Sequence, residues 1–151
     1  QAHGLIAAGS LTYNALRITA GQPAAGREAS AEYIPLEVGL WDEVSFTKGC
    51  YTGQEIIARM ESRGRVARTI VRLMLDAPLD APRELRTPEG RSAGTITSAV
   101  QAPDGSLWAM GVVRMAYAAS GTRLQADGVG VTVGTPLGVQ PAELLPETDE
   151  G

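Results

Sequence analysis

Short runs of strand-forming residues, separated by tight-turn signals, constrain the fold of this chain more than any other feature of its sequence. The turn signals are Pro88-Glu89-Gly90, Pro103-Asp104-Gly105, Ser120-Gly121 and Asp127-Gly128. The predicted strands cover residues 67–76, 84–87, 92–100, 107–116, 122–126 and 128–133. Short strands at this spacing are typical of a small antiparallel barrel or sandwich. We therefore predict a β-barrel domain over residues 67–142 and an acidic flexible tail over residues 143–151.

The residues before the barrel contain two predicted helices. Ser10 is a candidate N-cap for a helix over residues 11–20, and Gly21 ends it. Its apolar side is predicted to hold Leu11, Ala15, Leu16 and Ile18. A second helix is predicted from Gly53 to about Arg63.

The rest of this region is irregular. Residues 4–9 predict a short strand, residues 21–32 a loop rich in Gly, Pro and Ala, and residues 33–40 and 44–51 extended chain. An α+β segment over residues 1–66 is too short and irregular to form a whole domain. We expect it to expose an apolar face and to complete a domain whose other half, the missing N-terminal half of the same protein, lies outside this chain.

Composition excludes several classes of function. The chain has 13 Lys and Arg against 17 Asp and Glu, so its net charge is -4, and we expect no direct nucleic-acid binding. No apolar run reaches the roughly 18 residues that span a bilayer, so no membrane contact is expected. The chain has a single cysteine, so it cannot form an internal disulfide. With one cysteine and one histidine, it also cannot hold a zinc finger or an iron–sulfur cluster without ligands from another chain. Because the sequence shows no targeting signal and no disulfide pair, we predict a cytoplasmic location. We also predict no metal site.

The most informative stretch is Lys48-Gly49-Cys50-Tyr51-Thr52-Gly53-Gln54-Glu55. Thr52 and Glu55 have the spacing of a capping box, which predicts a helix that begins at Gly53. Cys50 precedes that helix, and the helix dipole favours a thiolate there. In extended chain, Lys48 lies on the same face as Cys50 and its ammonium would lower the pKa of the thiol. The alternative is that Cys50 is a small buried apolar residue and Lys48 a solvated lysine.

This string resembles the signature K-G-C-Y-x-G-Q-E of the YgfZ family of folate-binding proteins, which are relatives of the glycine cleavage system T protein, an aminomethyltransferase. The resemblance extends to the helix and loop at residues 14–23, to Ile34-Pro35-Leu36-Glu37 and to Val44-Ser45-Phe46-Thr47. It covers residues 4–75 well and the barrel more loosely. It implies that the chain is the C-terminal part of an aminomethyltransferase-like folate-binding fold, followed by the barrel.

The resemblance also implies function. Members of the family bind tetrahydrofolate and support the assembly or repair of iron–sulfur enzymes, and effects on tRNA modification follow from that role. Iron–sulfur proteins or cluster-assembly factors are the implied partners, with Cys50 as the working thiol. The alternative is a one-carbon transferase of the aminomethyltransferase type, although the T protein lacks the cysteine signature. A third hypothesis is an interaction module without a folate site.

Four residues are candidates for binding the cofactor. Arg17 matches an arginine that contacts folate in the T-protein relatives, and a guanidinium suits a carboxylate; the alternative is a solvated helix arginine. Glu37 could meet the donor edge of the pterin ring, and its alternative is a plain loop carboxylate. Tyr51 and Gln54 are assigned to the cofactor by their place in the signature.

Four arginines lie close after the signature in the sequence. The arginines, which could attract a polyglutamate tail, an acidic partner or RNA, or could form a solvated helix face, are Arg59, Arg63, Arg65 and Arg68. Trp41 and Trp108 are interpreted as packing residues.

Overall fold

The computed structural model describes residues 9–50, 52–55 and 66–138. Its helices are α1 (Ser10–Ala20) and two short 3-10 helices, Pro35–Val38 and Met115–Tyr117. Its strands are β1 (Arg68–Leu75), β2 (Arg83–Arg86), β3 (Ser92–Gln101), β4 (Leu107–Arg114), β5 (Arg123–Ala126) and β6 (Val129–Pro136). Residues 4–8 of the first predicted strand and the whole acidic tail lie outside the described residues.

The strands form a closed barrel in the order β1-β4-β3-β2-β5-β6, with β6 paired back to β1. All of these pairs are antiparallel. The prediction of a small antiparallel barrel is confirmed, and each predicted strand is observed with its ends shifted by at most three residues. Pairing is weakest between β2 and β5, which share one residue pair, Arg86 with Gln125.

The barrel interior is an apolar core built from alternate residues of the strands, as the two-residue repeat of a strand requires. The buried core residues are Val71, Leu73, Leu75, Leu85, Ala93, Ile96, Ala109, Val113, Ala118, Leu124, Ala126, Val131 and Val133. Every strand contributes to it. The barrel therefore holds a core of its own.

Residues 9–50, called the leading segment below, pack on the outside of the barrel. Ile18 of α1 is buried against Ile70 of β1 and Met110 of β4. Tyr33 and Val38 form a second buried cluster with Val112. These clusters use the outward side chains of β1 and β4, so one part of the sheet is apolar on both faces.

The first helix differs from its prediction in two respects. It begins at Ser10 with Gly9 as the N-cap, and Ser10 makes no capping hydrogen bond. Its buried residues are Ala15, Arg17 and Ile18, whereas Leu11 is 77% exposed and Leu16 is 64% exposed. The predicted apolar side is therefore confirmed for Ala15 and Ile18 and wrong for Leu11 and Leu16, and the buried Arg17 shares the inner face. Tyr13 is also exposed, so three large apolar or aromatic side chains of α1 face solvent, and Tyr13 and Leu16, three positions apart, lie on one face of the helix.

Two stretches predicted as extended chain are not extended. Residues 33–40 contain the 3-10 helix Pro35–Val38, which begins at a proline, a residue suited to the first turn of a helix. Residues 46–49 form bends instead of a strand. The argument that an extended strand places Lys48 and Cys50 on one face is therefore wrong.

Candidate functional site

The signature loop presents its cysteine to solvent. Cys50 is exposed and has a free thiol, so the alternative of a buried apolar cysteine is wrong. Lys48 is also exposed, and its backbone amide donates to Ser45 Oγ over 3.0 Å. Both residues are thus accessible to a reactant or a partner.

The helix after the cysteine begins later than predicted. Gly53 has a φ of +87°, which lies outside the right-handed helix and favours glycine. Thr52 and Gly53 form a turn, and helical geometry starts at Gln54. Gln54 is half-buried. Tyr51 and the body of the predicted second helix lie outside the described residues, as do Arg59, Arg63 and Arg65.

Arg17 lies in a buried polar network between α1 and the barrel. Its Nε donates to Asn14 Oδ1 over 2.8 Å, and its Nη2 donates to Ser98 Oγ of β3 over 2.8 Å. Its Nη1 lies 3.3 Å from Glu28 Oε2, and the two side chains of this ion pair are 3% and 0% exposed. The alternative of a solvated arginine is therefore wrong. The predicted contact of Arg17 with folate stays a prediction.

Glu28 is the centre of this network, and the sequence analysis missed it. Its Oε1 accepts from Ser98 Oγ over 2.5 Å and from Thr97 Oγ1 over 2.6 Å. Its Oε2 accepts from the Ala24 amide over 3.0 Å. Burial raises the pKa of the Glu28 carboxyl, but these hydrogen bonds outweigh burial and hold the pKa below its ordinary value. At neutral pH this lowered pKa keeps Glu28 ionised, as a partner for Arg17 requires.

Glu37 forms a second ion pair, with Arg68 at the start of β1. Arg68 Nε donates to Glu37 Oε1 and its Nη2 donates to Oε2, each over 3.0 Å. This two-bond geometry raises the pKa of Arg68. The guanidinium also lies 5.2 Å from the ring centroid of Tyr33. Burial, and then the Glu32 carboxylate, raise the pKa of Tyr33, which keeps the phenol neutral under the cation.

The predicted site residues thus fall into three places. Arg17 pairs with Glu28, Glu37 pairs with Arg68, and Cys50 lies with Lys48 on the exposed loop. The contacts described above do not join the three places into one pocket. Both carboxylates of these pairs are bound by arginines of the same chain.

The sequence contains a weak indication of the network around Glu28. Thr97 and Ser98 are adjacent polar residues in the middle of β3, where the alternation of the strand is broken by a register shift. Both are buried. Buried hydroxyl groups need hydrogen-bond partners. Two adjacent hydroxyl residues in a buried strand therefore predict a polar side chain from elsewhere in the chain, but they do not identify it.

The described ranges contain no group of three or more His, Cys, Asp or Glu side chains placed to hold a metal ion. None of the helices in the described part of the chain has the length and apolar character that crossing a bilayer requires.

The fold and its signature loop define a class of protein: a closed six-stranded barrel with a helical segment on its outer face. Residues 68–139 match the family described as the CAF17 C-terminal β-barrel domain. The glycine cleavage system aminomethyltransferase T of Bartonella henselae has a similar structure, with a TM-score of 0.71 and 24% sequence identity. The similarity covers 83% of this chain and 37% of that one. The predicted fold class, the C-terminal part of an aminomethyltransferase-like fold followed by a small antiparallel barrel, is thereby confirmed.

Sequence comparisons identify relatives of this chain within that class of protein. The chain is 36% identical to the tRNA-modifying protein YgfZ of Yersinia pestis over 137 residues, which are 85% of this chain and 42% of the relative. It is 42% identical over 105 residues to a chloroplastic putative transferase of Arabidopsis thaliana, covering 70% of this chain and 24% of that protein. The chain is a homologue of the YgfZ proteins, and it spans less than half of these relatives.

Proposed function

We propose that the chain is part of a YgfZ-type folate-binding accessory protein that supports iron–sulfur cluster assembly or repair, with Cys50 as the working thiol. The observation that carries this proposal is the exposure of Cys50 within an intact signature. A thiol that only packed a core would be buried. An exposed one can attack an electrophile or ligate iron.

The cofactor of the proposed protein is tetrahydrofolate. Its support is the similarity to a YgfZ protein and to the fold of an aminomethyltransferase. Arg17 and Glu37 are the proposed cofactor residues in the described part of the chain, together with Gln54, and Tyr51 completes the set. Because Arg17 already binds Glu28 and Ser98, its role would be shared between the cofactor and the barrel.

The proposed partners are iron–sulfur proteins or their assembly factors, and the remainder of a longer protein. A single thiolate cannot hold a cluster, so the other ligands would come from such a partner. Leu11, Tyr13 and Leu16 are exposed on α1, and Tyr13 and Leu16, three positions apart, share one face of the helix. Because the relatives are more than twice the matched length, the remainder of the chain is the proposed occupant of this face.

The test of the thiol is complementation of a deletion strain's iron–sulfur enzyme defect. Cys50→Ser should abolish complementation and leave the thermal unfolding midpoint unchanged, because an exposed side chain contributes little to packing. Thr47→Ser, an exposed hydroxyl in the same loop, is the matched control and should complement. Full complementation by Cys50→Ser would contradict the role of the thiol.

The folate site is tested by calorimetry with tetrahydrofolate. Arg17→Lys should weaken binding by roughly tenfold to a hundredfold, because a lysine cannot make two parallel bonds to a carboxylate. Glu28→Gln disturbs the same network without removing the guanidinium, so it serves as the control. Equal losses of affinity in both variants would show that Arg17 acts only through the network.

A one-carbon transferase is the second candidate, and the name of the Arabidopsis relative as a putative transferase favours it. A transferase would move the carbon of an aminomethyl group from its carrier to tetrahydrofolate and release the amine nitrogen as ammonia, without needing the Cys50 thiol. Turnover by Cys50→Ser equal to that of the wild type would support the transferase and contradict the accessory factor.

A further inference from the structure

Contacts between side chains and backbone run from the end of the barrel to the signature loop. Trp41 Nε1 donates to the carbonyl oxygen of Gly138, just after β6, over 3.1 Å. The indole of Trp41 stacks on the ring of Phe46, with centroids 6.4 Å apart and planes at 26°. Ser45 Oγ then accepts the amide of Lys48 over 3.0 Å. The series ends two residues before Cys50.

The barrel end of this series is itself fixed. The amides of Leu137 and Gly138 both donate to the carbonyl oxygen of Ile70 in β1, over 2.9 and 3.3 Å. Gly39 has a φ of +77°, and a Cβ there would lie 3.1 Å from the Leu137 carbonyl oxygen. The chain before Trp41 therefore passes close against residues 137–138, and only glycine fits there without strain.

The two aromatic rings lie outside the apolar cores. Neither Trp41 nor Phe46 belongs to the three buried clusters of the described residues. Phe46 is 37% exposed and Trp41 is partly buried. A stacked pair at the surface adds little core burial, but it restricts the chain on either side of it.

We propose that Trp41 is a positioning residue for Cys50, which it holds through Phe46 and the turn at Ser45–Lys48. Its indole N–H holds the loop to the barrel through Gly138, and its ring holds two parts of the loop together by stacking on Phe46. This proposal rests on the proposed role of Cys50 as the working thiol. It adds that the thiol works from an anchored loop.

The first test uses the single cysteine of the chain as a reporter. A nitroxide spin label attached to Cys50 gives the mobility of the loop by electron paramagnetic resonance. Trp41→Ala removes both the hydrogen bond and the stack, so label mobility should rise by about twofold or more. Trp41→Phe keeps an aromatic ring for the stack and should give a smaller rise.

Trp108 supplies the matched control. Its Nε1 donates to Ser106 Oγ in the turn before β4 and makes no contact of this kind with the signature loop. Trp108→Phe should therefore leave label mobility unchanged. Unchanged mobility in Trp41→Ala, with a wild-type circular dichroism spectrum, would overturn the proposal.

The second test asks whether anchoring matters to function. In the complementation assay Trp41→Ala should lose activity, and Trp41→Phe should restore part of it. A mobile label together with full complementation by Trp41→Ala would overturn the positioning role. The proposed role of the thiol is tested separately: full complementation by Cys50→Ser, with Trp41 intact, would contradict that role and not the anchoring.

Discussion

The barrel interior and the surface beneath the leading segment are held by different forces. Inside, the buried cluster is entirely apolar and draws on all six strands. Outside, small apolar clusters are supplemented by two ion pairs, Arg17 with Glu28 and Glu37 with Arg68. Apolar burial is tolerant of geometry and of pH, whereas a buried ion pair depends on both partners. The barrel is therefore the autonomous part, and the leading segment depends on specific partners.

The comparison is tested most strongly at Glu28. Glu28→Ala leaves Arg17 buried without a countercharge. The free energy required to unfold or undock the leading segment should therefore fall by about 3–5 kcal/mol. Urea unfolding followed by circular dichroism measures it. Arg123→Ala is the control, because its pair with Asp76 on the barrel surface is exposed and should matter far less. Equal small effects in the two variants would contradict the comparison.

A core substitution should act on the whole molecule. Leu73 is fully buried in the barrel, so Leu73→Ala should reduce the free energy of unfolding by about 2–5 kcal/mol. The loss should appear in the barrel and the leading segment together, because the segment docks on the barrel. The adjacent Met74 is 48% exposed, and Met74→Ala should change stability little. A loss confined to the leading segment in Leu73→Ala would argue against an autonomous barrel.

Acid should affect the two regions unequally. The pKa of Glu28 is held below its ordinary 4.5, so the folded state binds this proton more weakly than the unfolded state. Its contribution to stability is complete above that value and is lost as the pH falls below it. The fluorescence of Trp41 in a Trp108→Phe background and the circular dichroism of the barrel, followed from pH 7 downward, would separate the regions. In Glu28→Gln, this part of the pH dependence should disappear.

The sequence predicted the barrel well because its signals are local. Alternating apolar residues and turn dipeptides such as Asp127-Gly128 act within a few positions. Gly21 likewise marked the end of α1, and its φ is +75°. These features depend on neighbours in the chain, so one sequence is enough to read them.

The polar contacts of the leading segment could not be predicted in the same way. Glu28 meets Ser98 across 70 positions, and Glu37 meets Arg68 across 31. Such pairs leave no periodic pattern in the sequence, so the sequence places Glu28 in a plain loop and does not predict the pair of Glu37 with Arg68. The signature around Cys50 was identified from the sequence, but the exposure of its thiol was left open there. The contact of Trp41 with Gly138 could not be predicted, because the two residues lie 97 positions apart.

Hydrogen exchange tests the central comparison most directly. Amide exchange of the wild type and of Glu28→Gln, measured by mass spectrometry at neutral pH, reports each region separately. The account predicts faster exchange over residues 9–50 in the variant, with protection of the barrel strands unchanged. Loss of protection in the barrel to the same degree, or no change over residues 9–50, would contradict it.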